Sequence, residues 1–173
     1  NISPRGAYEQ VGKRLVAGFV ADLVWAPTTR FEARVGWQHV FKNEITDDTN
    51  PAIIGRMHGR HVRDFFTLFG RYTFDPKGRF AGFSANLGFE YRGKQVREYP
   101  SFNSGQPTYF DAFWNSDAAL RYTKRIDGRD YTVGLNLKNL AGRKVPVGYQ
   151  PNTAEAFYYS TDRECYLSFG VKF

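Results

Sequence analysis

Cysteine is almost missing: Cys165 is the single one in 173 residues. An intrachain disulfide is excluded, and so is a zinc site built from cysteines. The opening NISPRGAYEQ has no initiating Met, no basic n-region and no apolar core, so it does not read as a secretory signal. No run of about eighteen apolar residues exists, which excludes a transmembrane helix. The chain is therefore expected to begin after processing or partway along a longer protein. Also missing are Gly-x-Ser-x-Gly, a paired histidine–carboxylate motif and a phosphate loop. Ser84 in GFSANLG merely sits on an expected strand, so neither an enzyme nor a cofactor is expected.

What is present is an odd combination. Aromatic residues make up 17% of the chain, yet the mean hydropathy is −0.52. Strands in which apolar and polar residues alternate reconcile the two, because the average hides one wholly apolar face. The formal charge of +7 admits nucleic acid, an anionic membrane surface or an anionic ligand as partner.

Period-two alternation recurs in segments of about ten residues, the length a tilted membrane strand needs. Leu15, Ala17, Phe19, Ala21, Leu23 and Trp25 form one run, and Phe31, Ala33, Val35, Trp37 and Phe41 the next. Strands are predicted over 14–26, 30–41, 65–75, 80–92, 115–125, 130–140 and 163–173. Short turns, among them Asp75-Pro76-Lys77-Gly78 and Asp127-Gly128, alternate with long loops over about 42–64, 93–113 and 141–162. In the first turn Pro76 is expected to set φ and Gly78 to supply a positive one.

Seven segments with strictly alternating short and long connections suit an antiparallel transmembrane β-barrel. A strand of about eleven residues, tilted by about 40°, spans roughly 28 Å, enough for the ~25 Å apolar band. One face carries no charge across its middle, while the other holds Asp22, Glu32, Arg34, Arg71, Glu90, Asp117, Arg121 and Lys138. A dry core rejects so many charges and a wet lumen accepts them. Val16, Val20, Val24, Phe65 and Phe69 are exceptions on the polar face. A soluble lipocalin-like barrel turns its apolar face inward and does not fit.

The last two strands carry a motif. Gly134, Asn136, Asn139 and Leu140 form a Gly-x-Asn-x-x-Asn-Leu pattern, and Tyr166, Leu167, Phe169, Val171 and Phe173 end the chain on an aromatic. Together they resemble the C-terminal end of TonB-dependent outer-membrane receptors. Ala141-Gly142-Arg143-Lys144 departs from the family's usual continuation, and Ser168 and Val171 depart from its terminal preferences. The resemblance implies a bacterial outer-membrane location and an all-β chain, residues 1–173, forming about seven C-terminal strands of a 22-stranded barrel. The N-terminal plug would lie outside the chain, which then does not close its own barrel. It implies active uptake of a scarce nutrient, such as a ferric siderophore or similar anionic chelate, energised through the plug by a TonB-type transducer. The terminal strand would be the signal read by the barrel-assembly machinery, and the outer surface would meet lipid and lipopolysaccharide. Glu90, Arg121, Asn136 and Lys138 would face the plug from the lumen. A complete small outer-membrane barrel, acting as an adhesin or a lipid-modifying enzyme, is the alternative. No role with nucleic acid is expected.

Ligand-binding candidates lie on the long loops. Arg56, His58, Arg60, His61 and Arg63 form a basic cluster suited either to solvent or to an anion, and no carboxylate or thiol beside His58 and His61 completes a metal site. Arg97, Tyr99, Phe102 and Tyr109 on the second loop, with Tyr149, Tyr158 and Tyr159 on the third, either stack on sugar or catecholate rings or pack the loops together.

Overall fold

The computed structural model describes residues 12–49, 51–56, 62–98, 108–144, 146–149, 157–160 and 162–173. Its principal sheet has seven antiparallel strands: β1 (Gly12–Thr28), β2 (Phe31–Asp48), β3 (Asp64–Thr73), β4 (Phe83–Arg92), β7 (Phe113–Ile126), β8 (Arg129–Lys138) and β11 (Glu164–Lys172). Neighbours follow chain order, with β1 and β11 at the two edges. Two short hairpins rise from the long loops: β5 (Gln95–Glu98) with β6 (Thr108–Phe110), and β9 (Pro146–Tyr149) with β10 (Phe157–Tyr159).

The seven alternating segments are the seven strands of the main sheet. Two expected strand and loop assignments need correction. The second segment, expected to end at 41, continues to Asp48. Beyond Phe41 the alternation of hydropathy fades, but backbone pairing replaces it: Ile45 N–H donates to Arg56 C=O (3.0 Å) and Gly55 N–H to Ile45 C=O (2.8 Å). The hairpins inside loops expected over 93–113 and 141–162 are the second, since strands of three or four residues are too short to show a period.

The turns follow their residues. Asp127 (φ 50°) and Gly128 (φ 80°) both adopt left-handed backbone, the two-residue connection that matches strand twist. Thr28 Oγ1 accepts the N–H groups of Arg30 (3.3 Å) and Phe31 (3.1 Å), closing the β1–β2 turn. At Asp75–Gly78 the turn forms, with Gly78 N–H donating to Asp75 C=O at 3.0 Å. The positive φ falls not on Gly78 but on Gly82 (φ 85°), because turns continue up to the start of β4. A Cβ at Gly82 would lie 2.6 Å from Thr123 O and 2.9 Å from the Tyr122 ring, so only glycine fits there.

The chain divides into two units, described separately. One comprises Asn1–Val20, Gln38–Phe65 and Arg92–Ala112; the other comprises Ala21–Trp37, Phe66–Tyr91 and Phe113–Phe173. Among the described residues the first buries Val40 and the second Ala33, and no other apolar side chain of either is buried. The large apolar residues are instead in the open: Leu23 (61%), Leu167 (76%) and Phe169 (72%) are examples. A water-soluble sheet covers its apolar face with another layer. Here, among the described residues, the large apolar side chains remain exposed.

Candidate functional site

The second unit holds the site. On its polar face, side chains from β2, β3, β4, β7, β8 and β11 line a hollow of about 840 Å³. Strand pairing sets its rows. Ala119 on β7 lies opposite Asn136 on β8, and Asn136 opposite Tyr166 on β11; one row away, Arg121 faces Gly134 and Gly134 faces Ser168. Gly134 is buried, and a Cβ there would stand 2.6 Å from Ser168 Oγ. The Asn136 amide donates to Ser168 Oγ at 3.3 Å.

The charges of the hollow are partly matched. Arg34 Nε bonds Glu32 at 2.5 Å. Asp117 Oδ1 accepts the Asn139 backbone N–H at 2.9 Å. The Lys138 ammonium lies 5.6 Å from the centre of the Tyr166 ring. Arg30 pairs with Asp75 at 2.7 Å, tying two turns together. The Lys77 backbone N–H, helped by Arg30, holds the Asp75 carboxyl below its usual value.

Three of the four lumen-facing candidates, Arg121, Asn136 and Lys138, line this hollow. Glu90 lines a smaller one of about 260 Å³ on the same unit, which shares Gly88 and Asp117 with the first. Tyr166, expected as part of the terminal signal, also points into the large hollow, whereas Leu167 and Phe169 stand on the opposite face, across from Leu135 and Val133. Val171 is 37% exposed and Phe173 87%, with the Arg129 guanidinium 4.9 Å from the Phe173 ring centre.

Asn139 does more than its motif foretold. It is 6% exposed, adopts φ 50°, donates through Nδ2 to Arg143 C=O (2.9 Å) and accepts Arg143 N–H through Oδ1 (3.1 Å). Leu140 N–H donates to Ser116 C=O (2.8 Å). This corner ends β8 and holds the Arg143 guanidinium over the Trp114 ring, 5.2 Å from its centre. The alternation pattern carried no signal for it, since a corner has no period.

The loop candidates are less gathered. His58, Arg60, His61, Tyr99 and Phe102 lie outside the described residues. Arg56 and Arg63 flank that gap, and their carbonyls accept N–H bonds from Ile45 (3.0 Å) and Val40 (2.9 Å). Arg97 lies on β5, Tyr109 on β6, Tyr149 on β9, and Tyr158 and Tyr159 on β10; Tyr109 is 50% exposed. Sequence reasoning passed over His39, whose Nδ1 shares a 2.5 Å hydrogen bond with Asp64 while its ring lies between Phe19 and Phe41. Among the described residues no cluster of metal-ligating side chains is found.

No family model and no curated protein matches the sequence. Solved structures do match the fold. The ferripyoverdine receptor of the Pseudomonas aeruginosa outer membrane, bound to ferripyoverdine, superposes at TM-score 0.68 with 19% identity over 92% of this chain. The Escherichia coli K12 ferric-catecholate import receptor Fiu does so at 0.68, with 20% identity over 98%. BauA, the ferric preacinetobactin receptor of Acinetobacter baumannii, gives 0.69 with 15% identity over 93%. The chain has the barrel-wall fold of TonB-dependent outer-membrane receptors. It spans 19% to 22% of the length of those receptors. In a transmembrane β-barrel in general, the apolar face of the wall meets lipid and the polar face meets the lumen.

Proposed function

We propose that this chain is part of the barrel of an outer-membrane receptor that takes up an anionic ferric chelate, such as a siderophore, with energy relayed through a plug from a TonB-type transducer. The observation that carries this reading is the wall itself: a single antiparallel sheet, apolar outside and charged inside, superposing on three receptors whose ligands are ferric chelates. The net charge of +7 favours an anionic ligand. Among the described residues β1 and β11 are the edges of the sheet, and on this reading they would pair with other strands of a longer barrel, since unpaired backbone is not tolerated in a bilayer. The basic residues Arg56 and Arg63 and the ring of Tyr109 are the loop groups proposed to meet the ligand, with His58, Arg60, His61, Arg97, Tyr99, Phe102, Tyr149, Tyr158 and Tyr159. Lipopolysaccharide would surround the wall and the barrel-assembly machinery would read β11.

The test is iron-55 uptake by cells carrying or lacking the full-length receptor, across a panel of catecholate, hydroxamate and mixed chelates. Uptake of at least one chelate should fall about tenfold or more on deletion and on collapse of the proton gradient. Equal uptake of every chelate by both strains would overturn the reading.

A further inference from the structure

The apolar face of the second unit carries a hollow and, nearer the β7–β8 turn, a pair of cations. The hollow holds about 600 Å³ and takes its lining from β2, β3, β4, β7 and β8. Leu68, Leu87, Phe89, Leu120 and Leu135 are among its apolar walls. At Gly70, also in the lining, a Cβ would meet no atom within 4 Å. The cations follow from strand pairing. Leu120 lies opposite Leu135, Tyr122 opposite Val133, Lys124 opposite Tyr131, and Ile126 opposite Arg129. Side chains two residues apart share a face, so Lys124 and Arg129 stand on the side of the two leucines. They are exposed diagonal neighbours, roughly 7–8 Å apart. The Arg129 guanidinium lies 4.9 Å from the centre of the Phe173 ring. No carboxylate belongs to these rows: Asp130 alternates to the other face, where it meets Arg125 at 4.0 Å, and Asp127 belongs to the turn.

On the receptor reading the short turns face the periplasm. A charge on the lipid side is costly at the midplane and tolerated at the interface, which sets Lys124 and Arg129 at the headgroup level of the periplasmic leaflet. From Lys124 to Leu120 and Ala118, both in the hollow, is four and six residues. That is roughly 13–20 Å along β7 and, at a tilt of about 40°, roughly 10–15 Å along the bilayer normal. Half of a ~30 Å hydrocarbon core is about 15 Å. The hollow thus lies where the acyl chain of a lipid held at Lys124 and Arg129 ends. We propose that these two cations and the hollow form a binding site for one anionic phospholipid, its phosphate on Lys124 and Arg129 and an acyl chain in the hollow. The inference rests on the receptor reading, which supplies the bilayer. Charge complementarity selects the ligand: a guanidinium grips phosphate through two parallel hydrogen bonds and an ammonium adds a second positive charge. A zwitterionic phospholipid brings an ammonium of its own, which the pair repels. A free phosphate leaves the hollow unused, and lipopolysaccharide belongs to the opposite leaflet.

The test uses the full-length receptor, reconstituted in nanodiscs of equal parts phosphatidylethanolamine and phosphatidylglycerol and released for native mass spectrometry. Wild type should retain one phosphatidylglycerol more than the variant carrying Lys124→Gln and Arg129→Gln. Titration of phosphatidylglycerol into the detergent-solubilised proteins should show that site about tenfold weaker in the variant, with phosphatidylethanolamine unaffected. Ala85→Leu, which fills the hollow and leaves both cations, should lose the same lipid. Heat-modifiable migration confirms that each variant is folded, and the charge variant decides alone if Ala85→Leu is not. Equal phosphatidylglycerol retention by wild type and the charge variant would overturn the proposal, as would equal loss of both lipids. So would release of the extra lipid by inorganic phosphate, or lipopolysaccharide retained in its place. Iron-55 uptake separates the two ideas: the lipid without uptake sinks the receptor reading alone, and uptake without the lipid sinks the lipid site alone.

Discussion

Asn139 and Asp75 show how single side chains set the ends of strands. Asn139 is buried, left-handed and bonded to both backbone groups of Arg143. Asn139→Ala should cost roughly 1–3 kcal/mol from polar groups left unmet and about 1–2 more from left-handed backbone without glycine or asparagine. Asn139→Gly should restore the second part only. Urea unfolding of the full-length receptor in detergent checks both, and an Asn139→Ala variant as stable as wild type would remove the corner from the account of this loop. Asp75 acts through acid. Its folded pKa lies below the ordinary 3.8, first because the Lys77 N–H bonds its carboxylate and then because Arg30 sits beside it. A carboxyl lowered in this way stabilises the fold above its unfolded value, and the gain is lost as pH falls through the folded value. The melting-temperature difference between wild type and Asp75→Asn should therefore be present at neutral pH and shrink once pH drops below 3.8.

At the scale of elements, pairing and turns divide the work. Gly82 enters β4 with φ 85° against Thr123 and Tyr122 of β7. Gly82→Ala should lower the urea midpoint by an amount equal to about 1–2 kcal/mol or more, whereas Gly128→Ala meets no atom within 4 Å and pays only for its left-handed backbone. A Gly82→Ala midpoint higher than that of Gly128→Ala would contradict the packing seen here. The seven strands were readable from sequence because a sheet with one apolar and one polar face forces strict alternation, as in Phe83, Ala85, Leu87 and Phe89 against Ser84, Asn86 and Gly88. The alternation gave way where that contrast between faces ends: beyond Phe41, and in β5, β6, β9 and β10, hydrogen bonding rather than hydropathy decides the backbone. Gly82 was missed for a related reason. The turn chemistry of Asp75-Pro76-Lys77-Gly78 is local, while the lack of room for a side chain at Gly82 comes from β7, distant in sequence. The polar hollow was mostly readable from the same alternation, but Tyr166 belongs to it only because β11 pairs with β8 in the register that sets Tyr166 opposite Asn136.

For the whole molecule, the decisive property is which medium touches which face. Leu120 and Leu135 are partners across β7 and β8 in an apolar strip, and Ala119 lies one residue away on the polar side. Leu120→Arg should cost about 2–4 kcal/mol near the bilayer midplane, while Ala119→Arg should leave the folded yield nearly unchanged. The most direct measurement is site-directed fluorescence of the full-length receptor in liposomes, with Cys165 and any other native cysteine replaced by Ser. A probe attached through Leu87→Cys or Leu135→Cys should be quenched strongly by brominated acyl chains, and one attached through Asn86→Cys or Asn136→Cys should not. Equal quenching at the leucine and asparagine positions, or stronger quenching at the asparagines, would contradict a wall that is apolar towards lipid and charged towards the lumen.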